Sequence, residues 1–281
     1  MSWYTVIGSG LVGAELGHRL RMAGHRVTGT TTTPEKVDGL REAFDDVRVL
    51  QGTDTAAVAQ AVAGAAGVMV TAGPSAARAM SREDRQATYR DVLVGTAESV
   101  VAAGGSGRLV MLSSLTVYGD AADDLDVVDE DAPVTGSDDP SPANFLAAER
   151  VYLDGAGDRT CILRCADIYG AADPPIETKV RMAHEMMGGS VPFRGDAPFY
   201  RVHVLDVVRA AMFALEQNLT GVFNLTHAGV PATNRELFDS IGADLGFGPL
   251  EFRDEIAAPA RPISTERLRA AGFELEHTEE P

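Results

Sequence analysis

Through its first half the chain alternates short apolar runs with stretches whose apolar residues recur at helical spacing. Residues 3–7, 26–30, 47–50, 67–71 and 108–113 read as strands, and 11–22, 34–44, 55–63 and 82–103 between them read as helices. Local stop and start signals agree: Ala23-Gly24 closes the first helix, and Pro34 sits in the opening turn of the second. The runs at 67–71 and 108–113 have little polar alternation, as expected of parallel strands covered on both faces. Such regular alternation predicts an α/β fold built on a doubly wound parallel sheet, the Rossmann arrangement.

The second half is less regular. Residues 120–140 are acidic and contain proline, and are expected as a surface loop. A helix is expected at 141–154, a strand at 159–164, a helix at 204–216, a strand at 221–225 and a helix at 235–245. Glycine and proline become frequent between 170 and 200, with one helix near 176–187. No internal repeat or low-complexity linker interrupts the chain. The expectation is one unit over residues 1–281, with about 170–202 and 226–281 contributing a small C-terminal lobe.

Composition narrows the function. No apolar run is long enough to span a bilayer, and no basic-then-apolar segment precedes the first strand. The only cysteines, Cys161 and Cys165, are too few for a disulfide framework and match no zinc spacing. A cytoplasmic location and no metal are therefore expected. The net charge of -17 opposes binding to nucleic acid and to anionic membranes. Lys36 and Lys179 are the only lysines, arginine supplies every other formal cation, and acidic clusters recur at Asp123-Asp124, Asp129-Glu130-Asp131 and Asp138-Asp139. These clusters read as solvated surface charge, and the balance suggests adaptation to molar salt, where a Debye length of about 3 Å removes self-repulsion.

The strongest chemical signal follows the first strand. Gly8-Ser9-Gly10-Leu11-Val12-Gly13 is G-x-G-x-x-G between a strand and a helix. In that context the first glycine permits the turn, the second lets a pyrophosphate approach the backbone, and the third lets helix and strand pack closely. The phosphates would rest on free N–H groups at the helix N-terminus. Where an acid selecting for NAD is expected, the second strand instead ends in Thr30-Thr31-Thr32-Thr33, with Lys36 and Arg41 nearby. Hydroxyls there favour NADP over NAD, although a threonine-rich loop that only caps the next helix is the alternative.

Further along, Ser113-Ser114-Leu115-Thr116-Val117-Tyr118-Gly119, the run from Leu163-Arg164 to Tyr169-Gly170, His203-Val204-Leu205-Asp206-Val207, Gly221 to Leu225, Thr233 to Leu237, and Ser264 to Phe273 follow one another in order. With the glycine turn, they make the chain resemble the extended short-chain dehydrogenase/reductases of the NAD-dependent epimerase/dehydratase family, in particular the atypical branch. The resemblance implies that Ser114 hydrogen-bonds the reacting oxygen. It implies a nicotinamide coenzyme held by the glycine turn, Thr30–Thr32, Thr71-Ala72-Gly73 and Ser113. A small-molecule substrate, sugar-like or a polyol, would lie in the C-terminal lobe near Arg194, Tyr200, Arg201 and His203. It also implies a homodimer paired through the helices beginning near Arg82 and Ser141.

One element of the family's pattern is missing. Its catalytic Tyr-x-x-x-Lys is replaced, in the register set by Ala147-Ala148-Glu149-Arg150, by Ser141 and Phe145. No shift restores it, because Thr32 precedes Lys36 by four residues and Pro175 so precedes Lys179. A serine hydroxyl ionises far less readily than a phenol, and Phe145 provides no cation. Tyr118 and His203 are candidate substitutes, each with a packing or capping role as the alternative. Cys165 is expected near the nicotinamide as a buried, inert thiol. Two readings stand: an NAD(P)-dependent oxidoreductase or epimerase/dehydratase with an unidentified proton donor, and a non-catalytic dinucleotide-binding regulator or assembly protein.

Overall fold

A computed structural model describes residues 1–74, 81–135, 139–171 and 173–277. Its strands are β1 (Trp3–Ile7), β2 (Arg26–Thr31), β3 (Asp46–Val49), β4 (Gly67–Val70), β5 (Arg108–Ser114), β6 (Thr160–Cys165), β7 (Asp167–Tyr169), β8 (Ser190–Phe193), β9 (Arg201–His203), β10 (Gly221–Leu225) and β11 (Glu251–Ile256). The α-helices are α1 (Leu11–Met22), α2 (Val37–Leu40), α3 (Thr55–Val62), α4 (Arg82–Tyr89), α5 (Thr96–Ala103), α6 (Pro140–Ala156), α7 (Ile176–Met186), α8 (Val204–Glu216), α9 (Asn234–Asp244) and α10 (Glu266–Ala270).

Seven strands form one parallel sheet in the order β10-β6-β5-β4-β1-β2-β3. The order reverses between β1 and β4, so their carboxyl ends open a crevice of the kind in which α/β sheets bind ligands. Leu16 and Leu20 of α1 and Val207 and Ala211 of α8 pack on one face of the sheet. Val58, Val100, Ala148 and Tyr152, from α3, α5 and α6, cover the other. Burial on both faces explains why β4 and β6 have no exposed residue.

Two helices depart from the expected pattern. The helix expected over 34–44 is a 3₁₀ turn at Pro34–Lys36 followed by a single turn, α2. Beyond it the chain continues as a turn in which the Ala43 and Phe44 N–H groups both donate to Leu40 O, and the Phe44 ring wedges between Gly17 of α1 and Gly29 of β2, where a Cβ on either glycine would overlap it. The long helix over 82–103 is continuous but is drawn into a π-helical segment at Arg90–Gly95. That wider turn packs Gly95 against the Thr53 methyl group.

A second, smaller core lies beyond the sheet. Val180 and Ala183 of α7, Val191 of β8, Phe238 of α9 and Leu250 pack together, and β8 pairs with β11. The β11 strand was not expected because its Glu-Phe-Arg-Asp-Glu-Ile sequence is largely exposed and shows no buried face. Leu268 and Phe273, late in the chain, pack into the sheet core rather than this one. Residues 120–135 are anchored, since Val128 bridges to Ile263, and Ala122 and Ala132 form a buried cluster with Tyr118 and Tyr200. Among them Glu130 is buried and accepts the Asn224 N–H at 2.8 Å, so this acid does not belong to the solvated surface. Asp138 lies outside the described residues.

Candidate coenzyme and active site

At the end of β1, Gly8 takes φ +99°, and a Cβ on it would lie 2.5 Å from the Ala72 backbone. A Cβ on Gly13 would strike the Gly8 carbonyl oxygen and Thr71 Oγ1. Thr71 Oγ1 donates to that carbonyl at 2.6 Å, Thr30 Oγ1 accepts the Gly8 N–H at 3.1 Å, and the Ser9 N–H donates to Thr30 O at 2.9 Å. Thr30 and Thr71 therefore hold the turn from its two flanking strands.

Gly10 differs from its neighbours. It is the N-cap of α1, provides no side-chain cap, and a Cβ on it would meet nothing within 4 Å. Gly73 faces open space in the same way. The Ser9 hydroxyl is buried with no partner among the described residues. An uncapped helix end, an open approach to its backbone and an unpaired buried hydroxyl together suit a dinucleotide pyrophosphate. Beyond β2, Thr31 is buried and its Oγ1 accepts the Thr33 N–H at 3.1 Å, whereas Thr32 and Lys36 are exposed.

At the end of β5, Ser113 turns inward and donates to Glu149 Oε1 of α6 at 2.5 Å. Ser114 is half-buried at the carboxyl end of the strand and is the N-cap of the turn at Leu115–Tyr118. Its oxygen accepts the Thr116 N–H at 3.2 Å and the Thr116 hydroxyl at 2.9 Å. With both acceptor positions filled, the Ser114 proton is left to donate outward. In the first turn of α6, Asp139 caps the Ser141 N–H at 2.9 Å and pairs with Arg85 at 3.3 Å, while Phe145 packs into apolar clusters on either side. No phenol and amine lie along α6 at the spacing the family uses.

The other candidates are engaged elsewhere. Tyr118 is 0% exposed, donates to Asn224 Oδ1 at 2.7 Å and lies under the Arg164 guanidinium at 4.8 Å. Burial raises its phenol pKa above the usual value. Arg194 is held by Asp123 and Asp196, tying the chain at Asp123 to the loop after β8. Tyr200 donates to Arg261 O at 3.1 Å and accepts the Ile263 N–H at 3.2 Å. His203 caps α8 through Nδ1, which accepts the Leu205 N–H at 3.3 Å, so its neutral form is required there. Burial, followed by the charge of His277 stacked on it at 4.6 Å, lowers its pKa. His203 also lines a groove of about 550 Å³ with Leu11, His18 and Leu40, on the outer flank of α1 rather than over the strand ends. Cys165 is buried, and burial pushes its thiol up to about 12.

The residue-5-to-226 span matches the profile of the NAD dependent epimerase/dehydratase family. The chain belongs to that family. Solved structures share its fold: an epimerase-like protein from Burkholderia cenocepacia (21% identity, TM-score 0.72, 98% of this chain and 93% of that one), the Bordetella bronchiseptica enzyme WbmH in complex with NAD+ (19%, 0.74, 98% and 94%), and UDP-glucose 4-epimerase from Thermotoga maritima with UDP-glucose (17%, 0.74, 98% and 94%). No curated protein sequence matches the chain significantly. Among the described residues, no helix is long and apolar enough to cross a membrane and no three His, Cys, Asp or Glu side chains form a metal-binding group.

One polar group of this epimerase/dehydratase family member escaped the sequence reading. Asp167 opens β7 just past the end of β6, and its carboxylate lies 3.4 Å from Lys179 Nζ and 3.9 Å from Arg201 Nε. Lys179 also reaches Asp173 at 2.8 Å. Arg201 is held flat over Tyr169 at 4.0 Å. The one available signal was that Lys179 is among only two lysines in the chain. The pairing across β7 and α7 is not visible in sequence order.

Proposed function

We propose that the chain is a coenzyme-dependent oxidoreductase or epimerase of this family, using NADP or NAD and acting on a small, sugar-like substrate without a Tyr-x-x-x-Lys pair. The observation that carries the reading is the β1–α1 turn, where Gly10 leaves the α1 N-terminus open and the buried Ser9 hydroxyl lacks a protein partner. Gly8 to Gly13 would hold the pyrophosphate, with Thr32 beside the adenosine ribose and Thr71, Ala72, Gly73 and Ser113 along the crevice. When bound, the coenzyme supplies or accepts hydride. Ser114 donates a hydrogen bond to the substrate oxygen and thereby orients it, and Thr116 fixes the direction of that bond. Tyr118 serves as a buried support rather than a proton donor. Fluorescence titration with NADPH and NADH tests the reading, and micromolar binding of either is expected.

A second reading, a dinucleotide-binding regulator without turnover, is favoured by Ser141 and Phe145 in the first turns of α6. Coenzyme binding without hydride exchange into any carbonyl substrate would select it.

Coenzyme choice rests on the end of β2. An exposed Thr32 hydroxyl and Lys36 there suit a 2′-phosphate, so NADPH is expected to bind more tightly than NADH. Lys36→Gln is expected to weaken NADPH about fivefold and leave NADH unchanged, because one exposed charge contributes roughly 1 kcal/mol. Equal effects on both coenzymes would place the selectivity elsewhere.

The charge of -17 supports adaptation to high salt within a cytoplasm. The melting temperature is expected to rise steadily between dilute buffer and molar KCl, and an unchanged value would count against it. A homodimer through α4 and α6 completes the proposal, and sedimentation analysis would detect it.

A further inference from the structure

The crevice beside Ser114 contains an acid that neither the family pattern nor the glycine turn accounts for. Ser114 pairs with Cys165 across β5 and β6. Two residues beyond Cys165 the chain reaches Asp167, still running outward from the sheet, since the Ala166 N–H continues the β10 ladder through Leu225 O. Strand spacing and rise place the Ser114 and Asp167 Cα atoms about 8 Å apart, a span that a substrate oxygen and one water can bridge. Asp167 is fixed there from the other side: its N–H donates to Tyr200 O at 3.1 Å, and β7 pairs with β9.

The surroundings of this carboxyl are built rather than incidental. Lys179 from α7, Asp173 from the preceding loop and Arg201 from β9 converge on it, and Arg201 is itself immobilised against Tyr169 and Phe199. Asp167 keeps 42% of its side-chain area exposed, so its carboxyl is open to solvent and to a small molecule.

We propose that Asp167, positioned by Lys179, moves the proton that a Tyr-x-x-x-Lys pair moves elsewhere in the family. In carbonyl reduction, hydride from the nicotinamide coenzyme adds to the carbonyl carbon and the C=O π bond breaks. The Asp167 carboxyl gives its proton to the resulting oxygen, directly or through one water, while Ser114 donates a hydrogen bond to it. The carboxylate is then reprotonated from solvent, and alcohol oxidation runs the same sequence backwards. This deepens the enzyme reading and rests on it.

Desolvation by the surrounding protein raises the Asp167 pKa above the usual carboxylate value. Lys179 opposes the rise, Asp173 adds to it, and Arg201 opposes it. Reduction needs the protonated form, so its rate falls as pH rises through that pKa. Removing the opposing cation moves the falling limb up, and removing the assisting anion moves it down.

The test uses the full chain in three variants, Asp167→Asn, Lys179→Gln and Asp173→Asn. Two readouts are taken: NADPH-dependent reduction of glyceraldehyde and 2,3-butanedione across pH, and 13C NMR titration of aspartate carboxyls without coenzyme, the Asp167 signal being the one lost in Asp167→Asn. That variant is expected to lose about 10²-fold or more in turnover while NADPH affinity stays within about twofold. Lys179→Gln is expected to shift both the rate limb and the carboxyl titration to higher pH, and Asp173→Asn to lower pH, each by about half a unit or more. A merely structural Asp167 would not produce opposite shifts of the rate limb. Wild-type turnover with an unmoved limb in Asp167→Asn would overturn the proposal alone, as would an Asp167 signal indifferent to both neighbours. Coenzyme binding with no carbonyl reduced would overturn the proton role and leave the coenzyme site standing. Failure of the native chain to bind either coenzyme would instead overturn the enzyme reading itself and this role with it.

Discussion

Gly10→Asp is expected to abolish useful coenzyme binding while leaving the fold intact. The Gly10 backbone, at φ −81°, is accessible to any residue, and a Cβ there meets nothing within 4 Å. The added carboxylate would nevertheless stand at the α1 N-terminus where the pyrophosphate is proposed to rest. A like charge at about 4 Å costs roughly 4 kcal/mol at an effective dielectric of 20, or about a thousandfold in Kd. Thermal stability should move by no more than about 2 °C, as for an exposed substitution without contacts. Gly13→Ala makes the useful contrast. Its methyl group would press on Gly8 O and Thr71 Oγ1, which are backbone and a bonded hydroxyl, so it should lose stability and binding together. Titration of both variants with NADPH, alongside thermal melts, checks the pair. Undiminished binding in a folded Gly10→Asp would remove the pyrophosphate from this turn.

Arg164→Met should be the most damaging single substitution among the polar residues below the crevice. Glu149, 1% exposed, takes Arg164 Nη2 at 2.8 Å, Arg164 Nε at 3.1 Å and the Ser113 hydroxyl. The same guanidinium covers Tyr118, whose hydroxyl continues the network to Asn224 on β10. Loss of the cation strands a buried carboxylate, a change that typically costs about 3–5 kcal/mol, and the melting temperature should fall by roughly 10 °C. Adding Glu149→Gln to Arg164→Met should recover part of this, because it removes the unpaired charge. Glu149→Gln alone tests the same coupling from the acidic side. Independent, additive losses in the two single variants and the double variant would mean that these residues do not act as a pair.

This network explains why Tyr118 was ambiguous in the sequence. Alternation along a strand states that neighbours face opposite sides, but the chain leaves β5 at Ser114 and enters a 3₁₀ turn. Past that point the direction of each side chain depends on what packs against the turn. Here Thr135 closes against Gly119 and Arg164 approaches the ring, so Tyr118 is enclosed. Arg194, Tyr200 and His203 show the same dependence on tertiary contacts. The resemblance suggested them as substrate-lobe residues, while their partners, Asp123, Arg261 and Ile263, or Leu205 in a cap, come from other segments or from backbone. Asp167 was passed over because its partners lie on α7 and β9, outside its own run of residues.

The chain's apolar periodicity determined the parallel sheet, the helix positions and the glycine turn, because these depend on short-range geometry: a strand buried on both faces, a helix with one apolar stripe, a φ that only glycine adopts comfortably. Tertiary structure alone decided where helices yield, as at Phe44 and the π-helical segment, and which polar groups meet. Hydrogen bonds and ion pairs act over a few ångströms in space, and the groups that close around Asp167 come from three separate elements whose approach no local pattern records.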